Sequence, residues 1–158
     1  MADLGQRLIR FRPIGIVHSP FKTRDDIDPR RNRRPRGFAD VRGEIEIDPA
    51  YAAGLKDIGG LSHLIIIFAF HKSGSGHLLA KPPSERRRRG VFSTRSPRRP
   101  NPIGMTVVRL IGRRRNILKV SGIDMLDGTP VLDIKPYTSG DRKRGVKRGW
   151  MQRSILNR

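Results

Sequence analysis

Apolar residues along this chain fall into short runs separated by Gly, Pro and charge, a pattern that predicts strands rather than long helices. Pro13 to His18 (PIGIVH) is the first strand candidate, stopped by Ser19-Pro20. Gly43 to Ile47 (GEIEI) alternates cleanly and predicts a half-buried strand. Asp48-Pro49 then combines an acceptor side chain at a cap with Pro at a first helical position, which predicts a short helix from Ala50 to about Lys56, ended by Gly59-Gly60. Leu61 to Phe70 (LSHLIIIFAF) is almost continuously apolar and predicts a strand buried on both faces. Further strands are predicted at 90–94, 105–111, 117–123 and 130–135, the last following Asp127-Gly128, a common hairpin dipeptide. Lys22 to Arg42, in contrast, is Arg, Asp, Pro and Asn with few apolar residues, and reads as a long loop or a partly disordered stretch.

Short strands, a single short helix and many Gly/Pro turns predict an all-β or mostly-β domain. A small closed or nearly closed β-barrel with long basic loops would leave no exposed strand edge. Nothing supports a doubly wound sheet, since helices and strands do not alternate and no GxGxxG turn is present. The 158 residues suit one domain. It divides into a flexible arm at 1–12, the barrel at 13–138 and a basic tail at 139–158, which holds the lone tryptophan, Trp150.

Charge narrows the class of partner. Lys and Arg number 34 against 14 Asp and Glu, a formal net charge of +20. Such a chain attracts polyanions, and nucleic acid is the natural one, through phosphate neutralisation; a merely solvated basic surface is the plainer reading. The absence of cysteine excludes disulfides, thiolate metal sites and a Cys nucleophile, and agrees with a cytoplasmic home. Asp3, Gln6, Arg7 and Arg10 interrupt any apolar signal core, and Leu64 to Phe70 is far shorter than the ~20 residues of a membrane span. His18, His63, His71 and His77 lack ligand spacing, so no metal is expected.

Two stretches carry the candidate chemistry. In Gly90 to Met105 (GVFSTRSPRRPNPIGM), Pro97, Pro100 and Pro102 stiffen a loop bearing Arg95, Ser96, Arg98, Arg99 and Asn101. A stiff, donor-rich loop loses little entropy when a polar or anionic ligand docks; otherwise it is a connection with solvated arginines. In Leu126 to Tyr137 (LDGTPVLDIKPY), the Asp127-Gly128-Thr129 turn offers amides, a carboxylate and a hydroxyl. Asp133 and Lys135, two apart, share one face of a strand, with Val131, Leu132 and Ile134 including the core-facing set. The pair suits a zwitterion such as an amino acid, or forms a simple ion pair.

Together with PIGIVHSPFKT (Pro13 to Thr23) and LSHLIIIFAFHK (Leu61 to Lys72), these motifs occur in the order of the TsaA-like family, also called YaeB-like or TrmO, and the chain resembles it from Pro13 to Tyr137. The resemblance implies a non-Rossmann β-barrel that binds S-adenosylmethionine, usually as a homodimer. It further implies methylation of the N6 nitrogen of threonylcarbamoyladenosine beside the tRNA anticodon. Carried over by motif, Arg95, Met105, Leu126, Asp127, Gly128 and Thr129 would contact the cofactor. His71-Lys72 matches a family His-Gln pair and Pro29-Arg30-Arg31 a Pro-Arg-Gln triplet, with Lys72 and Arg31 standing where the family has Gln. Many bacterial members carry a further domain after the barrel; here either the basic tail and Arg-rich loops replace it for tRNA binding, or this member has a different substrate.

The expected chemistry is in-line displacement at the sulfonium methyl, governed by alignment and desolvation. Asp133 and Tyr137 are candidates to take the nitrogen's proton, with Lys135 orienting the carboxylate of the threonyl group. Two other readings of the chain remain: a non-enzymatic S-adenosylmethionine-binding regulator, and a basic RNA-binding barrel without cofactor.

Overall fold

Period-two alternation in the strands, one face apolar and one mixed, is satisfied by rolling the sheet until its apolar face has only itself to pack against. The computed structural model describes residues 8–28, 37–83 and 85–151. Its strands are β1 (Gly15–His18), β2 (Arg42–Ile47), β3 (His63–Ala69), β4 (Leu79–Ala80), β5 (Arg89–Gly90), β6 (Ile103–Arg114), β7 (Ile117–Ser121) and β8 (Pro130–Pro136). All but the β4–β5 ribbon close into a barrel in the order β1-β2-β7-β6-β3-β8, every pair antiparallel. Val17, Ile45, Leu64, Ile66, Val108, Leu118, Val120 and Val131 fill its interior, each with no exposed surface.

Closure corrects several sequence expectations. Leu64, Ile66 and Phe68 point inward while the residues between them are partly exposed, so β3 is buried on one face and not on both. A barrel has one interior, and the strand's outward residues are covered only in part. The helix expected at Ala50–Lys56 is a 3-10 helix over Pro49–Leu55, started as anticipated by Asp48, whose carboxylate accepts from the Ala50 amide at 2.8 Å. Among the described residues an α-helix lies instead in the loop region, α1 (Arg24–Ile27), where Asp26 caps the backbone of Lys22 and Thr23. The strand expected at 90–94 is only the end of β5 and a 3-10 turn over Val91–Ser93.

The Asp127-Gly128 turn closes no hairpin. β7 pairs with β2 and β6, whereas β8 pairs with β1 and β3, so 122–129 crosses the barrel's end between strands that are not neighbours. The β1–β8 seam is short, with only Gly15↔Val131 and Ile16↔Pro130 in register. A bulge at Ile67/Phe68 shifts β8 so that Val131 and Ile134 face inward and Leu132 takes up the slack.

The segment after Tyr137 is tied down at two points. Asp141 caps Thr138, and the Trp150 indole donates to the Ser93 carbonyl at 3.1 Å. Among the described residues no helix is long and apolar enough to cross a membrane.

Candidate functional site

One end of the barrel collects the C-terminal ends of β1, β3 and β7 and the starts of β2, β6 and β8, and the chain's longest connections meet there. The 122–129 crossing is stapled to the end of β1. Its Gly128 amide donates to the Val17 carbonyl (2.8 Å), the Val17 amide to Thr129 (2.9 Å) and the Asp127 amide to Phe21 (2.7 Å). The buried Ser19 hydroxyl donates to the Met125 carbonyl at 2.7 Å and accepts from the Phe21 amide at 3.2 Å. Asp127 accepts from the Ser19 amide (3.0 Å) and pairs with Lys22 (2.8 Å). Hydrogen bonding to Lys22, then to the Ser19 amide, holds its carboxyl below the usual carboxylate range. Gly128 has φ +78°, a conformation open to glycine at no steric cost, and a Cβ there would come within 4.0 Å of His71 Nε2.

The Pro-rich loop after β5 packs against the loop after β3. Gly76 lies so close that a Cβ would sit 2.6 Å from the Arg99 carbonyl oxygen. Arg98 donates to the Ser73 carbonyl (3.2 Å) and Arg99 to Thr94 and Ser96 (each 3.3 Å), so these two arginines brace the loop. Arg95 is exposed beside the barrel mouth. Partial burial, then the Lys72 charge, keeps the His71 imidazole below its ordinary pKa, neutral at pH 7.

Asp124 belongs to no motif of the sequence. It lies between the buried Ile123 and Met125, where burial pushes its carboxyl above the usual range against the Thr106 hydroxyl, its own backbone amide and the Arg95 charge. Its Oδ1 is buried with no hydrogen-bond partner among the described residues. A carboxyl with a buried, unpartnered oxygen, within the electrostatic reach of an exposed arginine, is a polar constellation suited to a ligand. The one sequence signal was a carboxylate set between apolar neighbours just after Gly122; its partner Thr106 comes from β6, through register rather than proximity in sequence.

The expected cofactor residues His71, Lys72, Arg95, Leu126, Asp127, Gly128 and Thr129 therefore gather at one end. Pro29, Arg30 and Arg31 lie outside the described residues. Met105 stands on the barrel's outer wall, 54% exposed. That wall runs in rows across β6, β3 and β8: Met105, Ile67 and Asp133, then Val107, Ile65 and Lys135. Asp133 and Lys135 pair with each other at 2.6 Å, as the simpler reading of the sequence allowed, and Tyr137 lies further along against the His63 ring. Within one chain these three residues face away from the loop cluster. A cavity of about 520 Å³, walled by Ile14, Leu55 and Ile134 and by the expected catalytic residues Asp133 and Lys135, opens at the opposite end and shares none of the gathered cofactor residues. Among the described residues no three His, Asp or Glu side chains are placed to share a metal ion.

A family profile, tRNA-methyltransferase O N-terminal domain, matches residues 16–141. An S-adenosyl-L-methionine-binding protein of Archaeoglobus fulgidus is 49% identical over 127 residues, covering 80% of this chain and 88% of that protein. The tRNA (adenine(37)-N6)-methyltransferase of Escherichia coli is 38% identical over 138 residues, covering 81% of this chain but 57% of the enzyme. A crystal structure of TrmO from Pseudomonas aeruginosa superposes with a TM-score of 0.73 at 35% identity, over 91% of this chain and 63% of that one.

Proposed function

This chain belongs to the tRNA-methyltransferase O family through that family's N-terminal domain, and on that premise we propose that it methylates the N6 nitrogen of adenine 37 in tRNA, carried as threonylcarbamoyladenosine, using S-adenosylmethionine. The observation that carries the reading is the gathering at the barrel mouth of the exposed Arg95, the Asp127-Gly128-Thr129 turn and Asp124, whose buried Oδ1 has no hydrogen-bond partner among the described residues. That donor set fits the cofactor. A guanidinium suits its carboxylate, a buried carboxylate suits its ammonium or ribose hydroxyls, and the glycine turn allows close approach of a flat base. His71, Lys72, Leu126 and Thr129 line the same mouth in this reading, and Pro29, Arg30 and Arg31 would complete it.

S-adenosylmethionine supplies a methyl group already activated on a sulfonium. The protein's share is then to orient and to exclude water, for which a stiff Pro-rich loop and a stapled turn are suited. In this reading the protein is a homodimer. Ile103, Met105 and Val107 form an exposed apolar stripe on β6, flanked by the partly exposed Ile65 and Ile67. A second copy on that wall would bring Asp133, Lys135 and Tyr137 to the protomer boundary, where Asp133 or Tyr137 takes the nitrogen's proton and Lys135 holds the threonyl carboxylate.

Calorimetric titration with S-adenosylmethionine, repeated on Arg95→Ala and Asp124→Asn, tests the mouth, and methyl transfer to tRNA with and without the threonylcarbamoyl group tests the acceptor. Micromolar binding lost in both variants is the expected result. No binding to the intact protein would overturn the reading. Binding without transfer would select a cofactor-binding protein that is not an enzyme, in keeping with the name of the archaeal relative.

A further inference from the structure

The β4–β5 ribbon and the 3-10 turn after it build a corner beside Arg95 that the cofactor does not need. Phe92 projects from that turn with 77% of its surface exposed, although its neighbours Val91 and Thr94 are buried. The turn itself is rigid. The Thr94 hydroxyl donates to the Val91 carbonyl at 2.8 Å, the Ser93 hydroxyl to Gly90 at 2.8 Å, and the Val91 amide to Leu78 at 2.8 Å. An exposed ring on a fixed backbone presents apolar area that costs little entropy to use.

Basic segments flank this turn. Arg86, Arg87 and Arg88 are exposed on the approach to β5, while Arg89 is engaged, paired with Glu85 at 2.7 Å and lying 5.3 Å from the centroid of the Trp150 ring. Trp150, through its bond to the Ser93 carbonyl, holds the far end of the exposed basic strap 142–148 against the same turn. The strap's near end is held by the Thr138–Asp141 cap. Two basic segments thus converge on one exposed aromatic ring a few residues from Arg95.

An exposed Phe on a turn flanked by basic segments offers a basic protein little; it complements a polyanion that carries flat rings. We propose that this corner docks a single-stranded RNA loop, with phosphates on Arg86–Arg88 and the strap, and one unpaired base stacked on Phe92. The inference rests on the tRNA reading above and adds to it the surface that grips the loop. Phe92 and the strap are positioning elements, since neither touches the reacting atoms.

The test is fluorescence anisotropy with a labelled RNA hairpin carrying an anticodon-type loop, and a fully paired RNA of equal length as control, over a range of salt and without cofactor. Phe92→Ala, an exposed truncation that leaves the core intact, is expected to weaken hairpin binding roughly 5- to 150-fold. It should leave both the salt slope and duplex binding unchanged. Replacing Arg86, Arg87 and Arg88 together by Ala should instead reduce the salt slope by roughly 2, at about 0.7 per phosphate on a single strand.

Unchanged hairpin affinity in Phe92→Ala would overturn the proposal, as would an equal loss on duplex and hairpin. A change of oligomeric state in light scattering would also overturn it, marking the ring as a protein contact. Methyl transfer is scored separately. A wild-type protein that methylates tRNA while Phe92→Ala binds normally sinks this inference alone. Phe92-dependent hairpin binding by a protein that methylates nothing sinks the enzyme reading alone.

Discussion

Removing the Ser19 hydroxyl separates the barrel's stability from the order of its candidate site. In Ser19→Ala the Met125 carbonyl loses a 2.7 Å donor and the Phe21 amide a 3.2 Å acceptor, in a place with 7% residual exposure. Buried groups left without partners cost about 1–3 kcal/mol. At about 2–4 °C per kcal/mol for a chain of this size, the Tm should fall by roughly 2–12 °C. Because the lost bond to Met125 ties the 122–129 crossing to the chain just past β1, the loss falls on the turn that carries Asp124 and Asp127. If all of it appears in cofactor affinity, Kd rises roughly 5- to 150-fold. Thermal unfolding by circular dichroism and calorimetric titration with S-adenosylmethionine at 25 °C give the two numbers. Ser62→Ala, an exposed hydroxyl at the other end of the barrel, is the control. A Kd within twofold of wild type would refute the claim that this hydroxyl positions the turn, whatever happens to the Tm.

Three further outcomes follow from the same geometry. A Cβ at Gly104 would lie 2.3 Å from Phe68 Cζ and 2.8 Å from Phe70 Cζ, so Gly104→Ala should destabilise the barrel by about 1–3 kcal/mol. Denaturant titration reads this, and Phe68→Leu in the same chain should recover part of the loss. The Asp127 carboxyl titrates below its ordinary 3.8 because Lys22 and the Ser19 amide favour its charged form. Its contribution to stability is therefore fully present above that value and lost as pH falls through the lower, folded-state value. The gap in stability between wild type and Asp127→Asn should accordingly narrow only below pH 3.8, as seen in unfolding at stepped pH. Val107→Asp, on the outer wall, should convert a dimer to monomers in light scattering without lowering the Tm of the isolated barrel; a dimer that persists would place its interface elsewhere.

Much of this was legible in the chain. GEIEI announced its own alternation, Asp48-Pro49 its cap, and the absence of helix–strand alternation excluded a doubly wound sheet. The errors share one cause, namely that local pattern is silent about which strands become neighbours. Leu61–Phe70 reads as doubly buried because Ile65 and Ile67 are apolar, yet closure puts them on the outer wall. Asp127-Gly128 has the composition of a hairpin turn, but β7 and β8 are separated in the barrel, so the same residues become a crossing over its mouth. Asp124 carries no local signal for the complementary reason, since its environment is supplied by Thr106 and Arg95 from elsewhere in the chain. The motif residues could be named from sequence; the division between mouth and outer wall required the register.

The barrel is joined most weakly where β1 meets β8, two residue pairs long, and the Gly128–Val17 and Val17–Thr129 bonds extend that seam directly into the crossing turn. The least costly way to open the cylinder is thus also the way to dismantle its mouth. A ligand that bridges the turn and the Pro-rich loop would act as a clasp on the seam, slowing amide exchange at Val17 and Thr129 before anywhere else in the sheet. In such a protein, occupancy of the mouth and integrity of the cylinder are one equilibrium observed from two sides.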